Sequence, residues 1–110
     1  MKGDWKAVLQ AKLWTYLNDN LNIKEIVEQL YEGVDGKSLL TEALYGQIRN
    51  ADNIPDANAL YLNHLKSSGG KSSFKNFYKI LRQTQDTIDI HEDIADRLKE
   101  DPVLSLIVGL

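Results

Sequence analysis

Residues 69–81 read Gly-Gly-Lys-Ser-Ser-Phe-Lys-Asn-Phe-Tyr-Lys-Ile-Leu. The glycine pair Gly69-Gly70 stops any helix that enters it and reverses the chain. Beyond it, Phe74, Phe77, Tyr78 and Leu81 fall at i, i+3, i+4 and i+7, which predicts a helix from Ser72 or Ser73. Upstream, Ile54, Ala57, Tyr61, Leu62 and Leu65 keep the same period. They predict a helix opened by Asp52 or Asn53, with Pro55 tolerated in its first turn and Ser67-Ser68-Gly69-Gly70 as its stop. The reversal sets Phe74 and Phe77 against Leu62 and Leu65. Aromatic residues at i and i+3 share a helix face and bury a large area, so these four side chains define a helix-on-helix core.

The same helical period extends to both ends of the chain. Trp5, Val8, Leu9, Leu13, Tyr16 and Leu17 predict a first helix over residues 4–20, capped by Asp4, with Lys2, Lys6 and Lys12 poorly placed for the helix dipole. A second helix is expected after Asn22, where Glu25 three residues on makes a variant of the capping box. Its apolar face is Ile23, Ile26, Val27, Leu30 and Val34, and Gly33 or Gly36 ends it. A third covers residues 38–50, carrying Leu40, Leu44, Tyr45 and Ile48; Gly46 inside it costs about 1 kcal/mol relative to alanine. The last covers residues 89–100, with Ile90, Ile94, Ala95 and Leu98 inward, and Asp101-Pro102 ends it because a residue before proline disfavours helical ψ. No segment sustains a period of two. Six short helices with short connections predict an all-α antiparallel bundle. Its expected core is Val27, Leu30, Leu44, Ile48, Leu62, Leu65, Phe74, Phe77, Leu81, Ile94 and Leu98.

Composition agrees with one domain. The chain has 110 residues, 43% of them apolar, a formal charge of −3 and no cysteine. That length suits a single core. Without cysteine there are no disulfides, thiolate metal sites or cysteine nucleophiles. Absence of cysteine suits a reducing compartment, and no apolar leader follows Met1, so a cytoplasmic location is expected. A sequence pI near 5.3 argues against a general nucleic-acid or anionic-membrane binder. The longest apolar stretch, residues 103–110, is far below the ~20 residues that span a bilayer.

Catalytic and metal-binding patterns are weak. His64 and His91 are the only histidines, and neither has a second ligand at i+4 as zinc on a helix requires. His91 reads as a hydrogen-bonding residue near a helix start, and His64 as a solvated or half-buried side chain. No serine lies on a Gly-x-Ser-x-Gly elbow. Gly69-Gly70-Lys71-Ser72 lacks the upstream glycine and preceding strand of a phosphate loop. Asp86, Asp89, Glu92, Asp93 and Asp96 lack the alternation and glycine of a calcium loop. The expectation is a non-enzyme with no metal or cofactor.

Three pieces in order carry a family resemblance. The first is Leu40-Thr41 followed by Ile48-Arg49. The second is Leu62-x-x-Leu65, then Gly70-Lys71-Ser72-Ser73-Phe74-x-x-Phe77-x-x-x-Leu81. The third is His91-Glu92-Asp93-Ile94-Ala95-Asp96-Arg97-Leu98. Together they resemble a caspase recruitment domain (CARD), a branch of the death-fold superfamily, while the first two helices fit by length and pattern. The chain departs from the family in a longer turn before the fifth helix, in Ser73 where alanine is usual, and in a longer connection over residues 84–89. The resemblance implies a Greek-key six-helix bundle over residues 1–100. Residues 101–110 are then an apolar tail, read either as the start of a linker or further domain or as a short extra helix packed on the bundle.

Charge is arranged in single-sign stripes. Glu25, Glu28 and Glu32 fall at i, i+3 and i+7 on the second helix, with Asp35 just beyond and Glu42 on the third. Lys71, Lys75 and Lys79 recur at i, i+4 and i+8 on the fifth helix, with Arg82 beside them. Like charges on one face repel by a few tenths of a kcal/mol per pair, so solvated helices usually mix signs. The segregation reads either as merely exposed faces or, more sharply, as complementary surfaces between neighbouring copies or partners. The resemblance implies the sharper reading: a non-catalytic module that binds other CARD-containing proteins, itself included, and recruits a caspase or immune-signalling effector. In that family a basic surface on helices one and four often meets an acidic one on helices two and three. Here the first-and-fourth surface is thin, with Lys6, Lys12 and Lys66, whereas Asp56, Asn58 and Asn63 occupy the rest of helix four. The alternative is a small nucleic-acid-binding domain using Lys71, Lys75, Lys79 and Arg82 with Phe74 and Tyr78 nearby. The pI, the acidic last helix and the core spacing of the aromatics weigh against it, so neither nucleic acid nor membrane is the expected partner.

Overall fold

The computed structural model describes residues 4–109; Lys2 lies outside the described residues. Among those residues the chain is helical, with α1 (Trp5–Val8), a π-helical segment (Leu9–Leu13), α2 (Trp14–Asn20), α3 (Val27–Glu32), α4 (Glu42–Arg49), α5 (Ile54–Ser68), α6 (Lys71–Thr84), α7 (Ile90–Glu100) and α8 (Pro102–Val108). No strand forms among them; a single antiparallel bridge joins Val34 and Lys37. No described helix is long and apolar enough to cross a membrane.

Local chemistry sets most of the boundaries. Asp4 caps α1 through Ala7 N, and Thr41 Oγ1 caps α4 through Leu44 N at 3.1 Å. Asn53 Oδ1 accepts from Asp56 N at 2.8 Å ahead of Pro55, and Ser73 Oγ accepts from Gly70 N at 3.4 Å. These side chains take up amide donors that a helix start leaves without partners. Asp101 is extended (ψ 131°), as its place before proline requires.

Four expectations are corrected. The first helix is not uniform: a five-residue π-helical stretch, Leu9–Leu13, separates α1 from α2. The second begins at Val27, and residues 23–26 form a turn that holds Ile23 and Ile26 at 0% and 1% exposure. Asn58 is the reason. Its buried amide accepts from Ile23 N at 3.1 Å and donates to Leu21 O and Asn18 O, both at 2.8 Å. That diverts the Ile23 amide to a side chain and fixes the turn, so Asn58 is a core residue and not part of the outer surface of its helix. The third helix starts only at Glu42, because Ser38 Oγ bridges Leu40 N and O and winds residues 38–40 into a bend.

Residues 101–109 belong to the same body as the rest. Asp101 Oδ1 accepts from Val103 N and Leu104 N at 2.8 and 3.1 Å, so the residue that ends α7 also caps α8. Leu104 and Ile107 are buried, and α8 packs on α1, α6 and α7. A Cα radius of gyration of 12.8 Å matches the about 13 Å expected of a single domain this long. Every residue of the expected core is buried, joined by Trp5, Leu17, Ile80 and Leu104. Trp5 stacks on Phe74 at 4.9 Å, and Tyr61 meets Phe77 at 5.1 Å.

Candidate protein-binding surfaces

The acidic residues all reach solvent, but on three kinds of backbone. Glu25 lies on the turn before α3, Glu28 and Glu32 on α3, Asp35 on the following turn, and Glu42 in the first turn of α4. The expected helical register for Glu25 therefore fails, since the turn over residues 23–26 carries it. Asn22 still holds it: Asn22 Oδ1 accepts from Glu25 N at 3.3 Å, and Asn22 Nδ2 donates to the Glu25 carboxylate at 2.9 Å.

Beside Glu28 stands an aromatic cluster that the charge pattern did not single out. Tyr31 and Tyr45 stack at 4.2 Å across α3 and α4. Tyr45 donates its hydroxyl to Glu28 at 2.7 Å and accepts from Arg49 at 3.3 Å. The Glu28 hydrogen bond holds the Tyr45 phenol protonated, raising its pKa, with partial burial acting the same way. The spacing Tyr45-x-x-x-Arg49 is the sequence signal, an i,i+4 pair on one helix face. Lys24 closes this side by donating to Arg49 O at 3.0 Å and to Ala51 O, where the end of α4 leaves carbonyls exposed.

The basic stripe is less uniform than its spacing suggests. Lys71 and Lys79 are exposed and Lys75 partly so. Arg82 is held in place: it donates to Tyr78 Oη at 2.9 Å, pairs with Asp96 on α7 at 2.9 Å, and lies 5.1 Å from the Tyr78 ring. Burial opposes its charge, but the hydrogen bonds with Tyr78 and Asp96 prevail and raise its pKa. Arg82 thus ties α6 to α7. The thin set is dispersed as well. Lys12 pairs with Asp101 at 3.2 Å, Lys6 lies over Trp5 at 5.5 Å, and Lys66 lies over Trp14 at 5.9 Å.

The two stripes approach one another within one molecule. Asp35 and Gly36 both have positive φ, 54° and 78°, and Val34 and Lys37 exchange backbone hydrogen bonds at 3.1 and 3.0 Å. This is a two-residue type I′ turn, which Asp-Gly favours. It faces α6, so that Asp35 and Lys37 share a cleft with Ser72, Lys75, Asn76 and Lys79. The Asp35-Gly36 dipeptide carried that signal in the sequence, although the glycines read there only as helix stops.

Other polar groups tie helices together. Tyr16 donates to Asp93, which accepts from Arg97 at 3.1 Å, while Arg97 lies 4.3 Å over the Tyr16 ring. Burial first and Asp93 second push the Tyr16 phenol up to about 12, and the Tyr16 and Arg97 hydrogen bonds lower the Asp93 pKa. His91 is fully buried. Asn22 N donates to its Nε2 at 3.2 Å, so the ring proton sits on Nδ1 and is donated to Thr84 Oγ1 at 2.9 Å; Thr84 in turn donates to Ile80 O at 2.9 Å. Burial pushes the imidazole down to about 4, and the neutral ring joins α6, α7 and the α2–α3 turn. His64 is half-buried on α5. Among the described residues, no group of three or more acidic, histidine or cysteine side chains is arranged to hold a metal ion.

No protein-family model, curated protein or solved structure matches the chain.

Proposed function

We propose that this chain is a non-catalytic interaction module of the death-fold type, a six-helix CARD-like bundle extended by α8, that associates with like domains in cytoplasmic signalling. The observation that carries the reading is the exposed acidic run Glu25, Glu28, Glu32 and Asp35, continued by Glu42, around α3 and its two turns. Core packing does not require these charges; Asn22 engages Glu25, Tyr45 engages Glu28, and Glu28 and Glu42 sit in helix first turns, which leaves Glu32 and Asp35 without a capping role. An exposed ion pair is worth only ~0.2–1 kcal/mol, so a partner has to engage several of them together. The Tyr31–Tyr45 stack supplies what such a surface otherwise lacks, a rigid aromatic centre within a charged rim, where binding energy concentrates. The partner is a basic surface on another copy or on another CARD-containing protein, such as a caspase or immune-signalling effector.

Charge reversal tests this. Glu25→Lys with Glu28→Lys should keep the melting temperature near that of the parent and abolish association in light scattering at matched concentration. Association that survives both reversals makes the acidic run a solvated face and removes the reading. The nucleic-acid alternative is less well supported, because Arg82 is committed to Tyr78 and Asp96 and the lysine stripe borders Asp35.

A further inference from the structure

Trp5, Leu9 and Leu17 are all buried, at 5%, 2% and 0% exposure, although an unbroken helix would not align them. At 3.6 residues per turn each residue advances about 100°, so in a regular α-helix Leu9 would lie about 80° around the axis from Leu17, and Trp5 about 120°. The π-helical turn Leu9–Leu13 takes up one surplus residue, which removes about 100° and leaves both within about 20° of Leu17. Leu13 ends that turn at φ −124° and ψ −5°, away from helical values, and is only half-buried.

The same residues suit the unbroken register. There Trp5, Leu9, Leu13 and Leu17 fan over about 120° of one face, an ordinary apolar stripe. The two registers differ by a rotation of α1 about its own axis relative to α2. A π turn is the rarer geometry and persists only where the surroundings over-determine it. Here the surroundings are the C-terminal helix. Trp5 stacks on Phe74 of α6 at 4.9 Å, and α8 packs on both α1 and α6. Lys12, inside the π turn, pairs with Asp101 at 3.2 Å, and that carboxylate also caps α8 through Val103 N and Leu104 N. Beside the pair a cleft of about 310 Å³ runs between Lys12 and Leu13 on one side and Arg97, Glu100, Asp101 and Pro102 on the other, so Leu13 has open space next to it.

We propose that Leu9–Leu13 is a one-residue register hinge latched by α8. With α8 docked, the surplus residue stays in the π turn. With α8 released, the turn relaxes into an α-helix continuous with α1 and α2, and α1 rotates by about 100°, which carries Trp5 off Phe74. Docking of α8 thereby controls which face α1 presents. The device does not depend on the acidic run around α3.

Deleting Gln10, an exposed residue of the segment, tests the register. The surplus is then gone, and Trp5 and Leu9 stay in line with Leu17 on a plain α-helix. The chain lacking Gln10 should melt within about 4 °C of the parent, whereas deleting the exposed Asn63 from the regular α5 should lower the melting temperature by more than about 10 °C. A loss as large from the Gln10 deletion overturns the register. Amide hydrogen exchange tests the latch. Leu104→Ala should lower protection in α8 and in residues 5–13 together, by about tenfold more than in α5. Without Gln10 the same substitution should loosen α8 and spare the first helix, which has no second register left. First-helix protection that stays at the parental level in the intact chain, or falls equally in both backgrounds, overturns the latch. Should Leu104→Ala fail to fold, Lys12→Gln decides. It should lower protection over residues 5–13 about twofold or more in the intact chain and leave the first helix unchanged without Gln10, and an equal effect in the two backgrounds overturns the latch.

Discussion

Lowering the pH from 7 to 4.5 should destabilise the fold through His91 before any carboxylate contributes. In the unfolded chain the imidazole titrates near its ordinary 6.5, and in the fold it is pushed down to about 4. The unfolded state therefore binds more protons over that window, and stability falls as pH falls through it. Above pH 6.5 both states hold a neutral ring and nothing is lost. Below pH 4 both are protonated and the loss is complete, at about 3 kcal/mol for a shift of this size. By pH 4.5 about 2.5 kcal/mol should already be gone, a large share of the roughly 5–15 kcal/mol that holds a domain together. The structural cause is specific. A second ring proton on Nε2 meets the Asn22 N–H that now donates to it, and the charge has no carboxylate among its hydrogen-bond partners. Asp93 and Asp101, whose pKa values are lowered in the fold, contribute only below their ordinary range near 3.8, so the two effects separate on the pH axis. Urea unfolding followed by helical circular dichroism at pH 7, 5.5 and 4.5 measures the slope. His91→Gln, which lacks the titrating group, should flatten it. A stability unchanged between pH 7 and 4.5, or an equal slope in His91→Gln, refutes the reasoning.

Phe77→Ala should cost about 3–5 kcal/mol in chemical unfolding, since the ring is fully buried against Tyr61, and near-parental unfolding would place Phe77 outside the core. Gly33→Ala should lose at least 1–3 kcal/mol from backbone strain alone, as roughly expected for a non-glycine residue forced to φ 78°, and a Cβ only 1.7 Å from Lys37 O adds to it; a parental melting temperature would contradict the closed turn. Tyr61→Phe should be neutral or raise stability by about 1 kcal/mol, because the Tyr61 hydroxyl is buried without a hydrogen-bond partner, and a marked loss would mean that the hydroxyl is satisfied.

Helix existence was legible wherever apolar period and punctuation agreed. The Asn53-Ile54-Pro55 start, the Gly69-Gly70 reversal and the Phe74/Phe77 face of α6 all follow from local chemistry, and the structure has them. The misread stretches are those in which a distant side chain overrides the local preference. Residues 23–26 carry a sound helical pattern, but Asn58, more than thirty residues away, claims the Ile23 amide and the turn wins. The π-helical Leu9–Leu13 leaves no mark in a 3.6-residue period, because its apolar residues sit where an α-helix would also put them. The apolar run after Pro102 is readable as an extra helix or as the lead into a further segment, since a short apolar stretch looks the same whether exposed or docked; the structure has the helix, capped by Asp101 and received by α6 and α7. At the surface, net sign along a stripe was readable, but the commitment of individual charges was not. Arg82 and Lys12 are bound to Asp96 and Asp101, contacts fixed by how α6, α7 and the π-helical segment pack.

Complementary charge is the central claim, and mixing two variants tests it most directly. Glu25→Lys/Glu28→Lys has its acidic surface reversed, and Lys75→Glu/Lys79→Glu has its α6 surface reversed. Light scattering on each variant alone and on an equimolar mixture, with melting curves as the folding control, reads the outcome. Neither variant alone should self-associate, and the mixture should associate by alternation, because each face of one variant then meets a face of opposite sign on the other. Association of the glutamate-reversed variant alone, at the parental level, would contradict the claim.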